Sequence, residues 1–128
     1  MYGDIIMPIR KWFPATILAL FAIAFPASAA DLTAQQAAAH IGKTATVCGT
    51  VVSANYAVRT KGQPTFLNLD RPYPQQVFTI LIWGSDRSKF GAPDVLHFGK
   101  RVCATGVIQS YKGKAQIVAT HPSQIGVR

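Results

Sequence analysis

The sequence predicts an all-β domain built as a small closed sheet of five strands. Three observations carry that expectation. Five separate stretches concentrate or alternate β-branched and aromatic residues, glycine and proline clusters punctuate them, and only one stretch has helix-forming composition. The chain has 128 residues, which suits one domain, and 49% of them are hydrophobic, which supplies a core.

The N-terminal stretch reads as an address, not as part of the fold. Arg10 and Lys11 precede an apolar run at 12–25, and Pro26 and Ala27-Ser28-Ala29 follow it. A basic start, a short apolar middle and small residues at a cleavage site describe a secretory signal over residues 1–29. The run falls short of the roughly 20 apolar residues of a membrane span. The expected product is a domain at 30–128, periplasmic or secreted, with no stable membrane insertion; either Met1 or Met7 serves as the start.

Residues 32–42 read as a short helix, with Thr33 as its cap, Gln36 at the capping-box position, alanines behind them and Gly42 to end it. Residues 44–56 form the first strand, long and interrupted by Gly49, where a bulge or bend is expected. A turn at 59–64 leads to a second strand at 65–70, with Leu67 and Leu69 on one face and Phe66 and Asn68 on the other. Pro72 and Pro74 break the chain. The third strand, 77–83, is continuously apolar and ends on Trp83, read as core. Residues 85–98 are irregular or hold short helical turns. A fourth strand at 101–110, a hairpin signal at Lys112-Gly113 and a fifth strand at 115–120 complete the set.

Five strands with an irregular segment between the third and fourth follow the OB order, in which the first strand also pairs with the fourth. An internal echo agrees: the Gly42-Lys43 strand ending at Gly49 is repeated by the Gly99-Lys100 strand ending at Gly106. Cys48 and Cys103 fall at one parity in these strands, so antiparallel neighbours would bring the sulfurs together. In an exported protein a disulfide is the expected state, with two buried thiols as the alternative. No zinc-ligand spacing is present and no metal or cofactor is expected.

Several segments match a family pattern. They are Gly42-Lys43 with Val47, Gly49 and Val51; Thr65-Phe66-Leu67-Asn68-Leu69; Tyr73-Pro74 with Gln76, Phe78 and Thr79; Ser85-Asp86 with Ser88-Lys89-Phe90; Tyr111-Lys112-Gly113-Lys114 with Gln116-Ile117; and Pro122-Ser123-Gln124-Ile125. In this order they resemble the OB-fold domain of YhcR-type secreted nucleases and of related stand-alone exported proteins, from Gly42 to Ile125. The resemblance implies an OB fold with nucleic-acid-binding character. It does not carry nuclease activity, because the catalytic domains of those nucleases have no counterpart here, and the two cysteines are not part of it.

The formal charge is +8, and segment 1–29 holds two cations and one acid, so +7 stays with residues 30–128. Such basicity points to an anionic partner, although lysines also serve solubility. OB domains bind nucleic acid on the face of strands two and three and on the loops joining strands one to two and four to five, where bases stack on aromatic rings beside cations. The candidate binding residues are therefore Tyr56, Arg59 and Lys61 of the first loop, Phe66 and Asn68 of the second strand, Arg71 and Tyr73 after it, and Tyr111, Lys112 and Lys114 of the hairpin. Tyr56 and Tyr111 also suit a role covering barrel ends, and Phe66 belongs to the core if the parity is off by one.

Catalysis is not expected. Asp31 lies at the start of the domain, Asp86 suits a helix cap, Asp94 stands beside Pro93, and His40, His97 and His121 have no carboxylate or nucleophile nearby in sequence. The sequence therefore predicts an exported module that binds single-stranded nucleic acid or another polyanion. The alternative is a periplasmic module that takes a protein or small ligand in envelope stress, with no nucleic-acid role.

Overall fold

Alternation along the chain becomes a ring of paired strands. The structure, a computed structural model, describes residues 30–128; the expected signal segment 1–29 lies outside the described residues. The strands are β1 (Leu32–Thr33), β2 (Thr44–Tyr56), β3 (Thr65–Leu69), β4 (Phe78–Ile82), β5 (Arg101–Tyr111), β6 (Lys114–Val118) and β7 (Ile125–Val127). β2, β3, β4, β6 and β5 pair in that order, and β5 returns to β2, which closes the ring. This is the OB arrangement, with the five expected strands as β2 to β6. All its pairings are antiparallel except β4 with β6.

The long strands β2 and β5 each serve two neighbours. Thr44 to Thr50 of β2 pairs with β5, and Val51 to Tyr56 pairs with β3, with the register shifting between Val51 and Ser53. The irregularity expected at Gly49 thus sits just after it. Gly49 is needed for a different reason: a Cβ there would lie 2.9 Å from a carboxylate oxygen of Asp70 and 3.0 Å from the Leu69 Cβ. On β5, Gly106 likewise leaves room for Ile117, 2.8 Å from where its Cβ would be.

The echo between the two strands is a local two-fold relation. Gly42 N–H donates to the Ile108 carbonyl and Ile108 N–H to that of Lys43; Gly99 N–H donates to the Val51 carbonyl and Val51 N–H to that of Lys100. Each Gly-Lys start thus grips the midpoint of the opposite strand. Cross-links obey the same relation. Cys48 pairs with Cys103 in a disulfide, S–S 2.03 Å, and the equivalent positions Thr105 and Thr46 are joined by a 2.7 Å hydrogen bond between hydroxyls.

The ring encloses one core, in which Val47, Val51, Leu67, Leu69, Ile80 and Ile117 are fully buried. Helices α1 (Gly84–Phe90) and α2 (Pro93–Leu96) fill the segment between β4 and β5, and α1 sends Phe90 into the core. Asp86 sits inside the first turn of α1 instead of capping it, and pairs with Lys89 at 2.8 Å.

The N-terminal helix is shorter than expected: only Gln36–His40 is helical, and as a 3-10 turn. Leu32 and Thr33 pair with β2 in parallel instead. The capping box nevertheless forms, with Thr33 N–H on Gln36 Oε1 and Gln36 N–H on Thr33 Oγ1. Burial of Ala34 and Ala37 in the core fixes this short turn, since alanine offers too little apolar surface to hold a longer helix. β7 also was not expected; it adds to β5 at Val102 to Ala104. Among the described residues, no helix is long and apolar enough to cross a membrane.

A candidate ligand groove on the outer sheet face

Strand parity decides what the ring presents to solvent. On β3, Leu67 and Leu69 point into the core, so Phe66 and Asn68 lie on the outer face, as alternation requires. Directly across on β4, Thr79 shares that face with Asn68, and Gln116 of β6 continues it. Three irregular segments rise around this patch: the loop at 57–64 after β2, the segment at 70–77 after β3, and the β5–β6 hairpin. They turn it into a groove of about 720 Å³.

The groove floor is a hydrogen-bonded polar layer. The Asn68 side-chain amide donates to Ser53 Oγ at 2.8 Å and accepts from Thr79 Oγ1 at 2.8 Å, and Ser53 Oγ also accepts from Tyr73 N–H at 3.1 Å. Buried polar groups with partners are stable where they stand. This layer therefore joins β2, β3 and β4 to the segment carrying Tyr73. Asn68 itself is only 3% exposed, so it is scaffold for the groove and not a surface that a ligand reaches first.

The rim is aromatic and cationic. Tyr73 is 73% exposed and Tyr111 55%, and both line the groove with the half-buried Phe66. Lys112 and Lys114 line it too. Lys112 stands over the Tyr111 ring, 5.3 Å from its centre. Lys114 reaches across to the facing segment, where its ammonium donates to the Pro74 carbonyl and, at 3.3 Å, to Gln76 Oε1. It clasps the hairpin to the other wall.

Four candidates fall elsewhere. Tyr56 does not line the groove, and the Arg87 guanidinium of α1 lies 3.7 Å over its ring. Arg59 and Lys61 are exposed in the first loop but do not line the groove; Thr60 between them does. Arg71 is exposed in the segment that follows β3 and is likewise outside the lining. The alternation rule found Phe66 and Asn68. It had no hold on Ser53, which follows the register shift in β2, or on Pro74 and Gln76, whose positions depend on a loop path. Trp83, expected in the core, is 41% exposed, because β4 ends at Ile82 and the next residue falls on the outer face.

Carboxylates stand away from the groove. Asp31 pairs with Arg128 at 2.7 Å, Asp86 with Lys89, and Asp94 with Arg87 at 2.6 Å, while Asp70 accepts from Thr50 N–H at 2.8 Å. No acidic residue and no histidine lines it. The one grouping of potential metal ligands among the described residues is Asp31 with Cys48 and Cys103, and joined sulfurs offer no thiolate.

No protein-family model matches the chain, and no curated protein matches it in sequence. Among solved structures, it is similar to an OBody, AM1L10, bound to hen egg-white lysozyme, with 17% identity and a TM-score of 0.48 over 70% of this chain and 83% of that one. It is also similar to aspartyl-tRNA synthetases from Leishmania major Friedlin (11% identity, TM-score 0.48, 84% of this chain) and Entamoeba histolytica (19%, 0.42, 70%). The matched part spans 22% and 19% of those synthetases. The fold assignment rests on the strand pairings themselves.

Proposed function

We propose that this domain is an exported module that binds single-stranded nucleic acid in the outer-face groove and performs no catalysis. One observation carries the reading: exposed Tyr73 and Tyr111, Phe66 and the ammonium of Lys112 converge on one groove whose lining holds no carboxylate. Bases stack on aromatic rings irrespective of sequence while cations follow the phosphates. A net charge of +7 on residues 30–128 favours encounter with a polyanion. The non-catalytic reading is supported by the engagement of all four carboxylates of residues 30–128 outside the groove. Export is supported by the residue pattern at 1–29 and by the disulfide. Kinship with the OB domain of YhcR-type nucleases remains part of this proposal, on the motifs quoted above.

Fluorescence anisotropy with labelled oligonucleotides tests the reading. Affinity should fall with salt, with a log–log slope of about −0.7 for each phosphate contacted. Absence of binding at low salt removes it, and equal binding to heparin reduces it to general polyanion affinity. A second reading has its own support: the Lys114 ammonium is held by a carbonyl and an amide, which leaves a largely uncharged lining. That lining also suits a protein segment or small ligand, as in an envelope-stress module. Salt-insensitive capture of one defined envelope protein, with no oligonucleotide binding, selects this alternative.

A further inference from the structure

Trp83 is an exposed indole with a rigid seat. Its ring packs against the 57–64 loop, so closely that a Cβ on Gly62 would lie 2.9 Å from it. Gly84 N–H donates to the Gly62 carbonyl at 2.9 Å and locks the strand end to the loop. The loop is bonded internally as well, Thr60 N–H to Ala57 O and Gln63 N–H to Thr60 O. Beside the indole is an open pocket of about 420 Å³ lined by Gly62, Gln63, Gly84 and Ser85, with no carboxylate in the lining. The nearest acid in sequence, Asp86, is paired with Lys89.

This pocket shares no lining residue with the groove but is linked to it by a short stretch of loop. Trp83 follows Thr79 and Leu81 at two-residue steps, so it shares the outer face of β4 with Thr79 of the groove floor. Leu81 between them is buried, so the connection runs over the loop. Thr60 of that loop lines the groove and Gly62 lines the Trp83 pocket. One residue, Lys61, separates them, so the two positions are at most about 7 Å apart along the chain. The residues flanking Thr60 are Arg59 and Lys61, exposed and in no ion pair among the described residues.

We infer that Trp83, with Arg59 and Lys61, forms a second stacking station for a single strand that leaves the groove across the 57–64 loop. The inference rests on the proposed groove reading and extends it. The occupant is chosen by complementarity: an exposed indole packed against a loop that carries two unpaired cations fits an unstacked base and its flanking phosphates. The pre-bonded loop lowers the ordering cost of binding. This station accounts for two cations that the groove itself leaves unused.

The test uses the full chain with Trp12→Phe, which makes Trp83 the one indole. Oligothymidylates of about 4 to about 16 nucleotides, the range of OB site sizes, are titrated in. Long oligomers should quench the indole emission, while the shortest should bind without quenching. Trp83→Leu, which keeps an apolar group on Gly62, should weaken long-oligomer binding about tenfold and leave the shortest oligomers unchanged. Trp83→Tyr should recover most of the loss. Arg59→Ala with Lys61→Ala should flatten the salt slope by about 1.4, again only for long oligomers. Binding that depends on Lys112 but leaves the indole emission and length dependence untouched overturns the second station alone. No oligonucleotide binding at all overturns the groove reading and the station with it.

Discussion

β2 and β5 each pass through two regions of opposite character. Over Thr44 to Thr50 and Arg101 to Val107 they pair with one another, flanked by β1 and β7, and their outer face is cross-linked by a disulfide and a threonine pair. Further along, Ser53 of β2 and Tyr111 of β5 diverge to separate neighbours and help build opposite parts of the groove. The first region spends its outer face on holding the ring shut. That leaves the second free to present Tyr111, at whatever cost its exposure carries. The cross-links and the groove are thus separated along the same two strands.

Removing the staple is the largest test of that division. Cys48 and Cys103 are 55 residues apart, and chain-entropy arguments assign about 4 kcal/mol to a loop of that order. Cys48→Ala with Cys103→Ala should therefore lower Tm by more than about 15 °C in a domain of this size. Oligonucleotide affinity at low temperature should hardly change. A variant that melts normally, or one that stays folded but loses binding, breaks the comparison.

The complementary change acts on the groove side. Tyr111→Ala should cost about 1–3 kcal/mol of binding and leave thermal stability nearly intact, since the ring is mostly solvent-exposed. Anisotropy and calorimetry on one sample separate the two effects. Loss of stability in step with affinity would mean that the ring holds the hairpin rather than a ligand.

The smallest expected effect belongs to neither region. His97, between α2 and β5, has its pKa lowered from the ordinary 6.5 by burial and then by the charge of Lys100, and its Nδ1 is buried without a partner. Below pH 6.5 the unfolded chain takes up a proton that the folded one resists, so stability falls as pH drops through that window and levels off below the folded pKa. Chemical denaturation across pH 7 to 5 should show this modest slope, reduced in His97→Leu, while groove affinity at constant salt follows neither. An unchanged slope in the variant assigns the dependence to other groups.

Local regularities reached far into this fold. Alternation of Leu67 and Leu69 with Phe66 and Asn68 placed one face of β3 inside and the other on the groove. The Gly-Lys echo anticipated the antiparallel partners, and cysteine parity anticipated the bridge. Edges were harder to read: β1 and β7 are too short for any periodicity, and they are strands only because β2 and β5 offer unpaired backbone beside them. The site followed the same pattern. Tyr73, Tyr111, Lys112 and Lys114 were legible as loop aromatics and cations, while Tyr56 turned to Arg87 outside the groove and Trp83 came out of the core.

Sequence by itself determined which side chains alternate, roughly where the five strands β2 to β6 lie, and that the two cysteines share one parity, because each follows from spacing along a covalent chain. Only the tertiary structure decided which outer-face positions lie bare, which are roofed and which cations remain unpaired. Asn68 is buried and Trp83 exposed on the same face because Ser53, Thr79 and the segment carrying Tyr73 close around the one, while the other stands past the end of β4. Such coverage depends on several segments converging in space, and no periodicity within one strand encodes it.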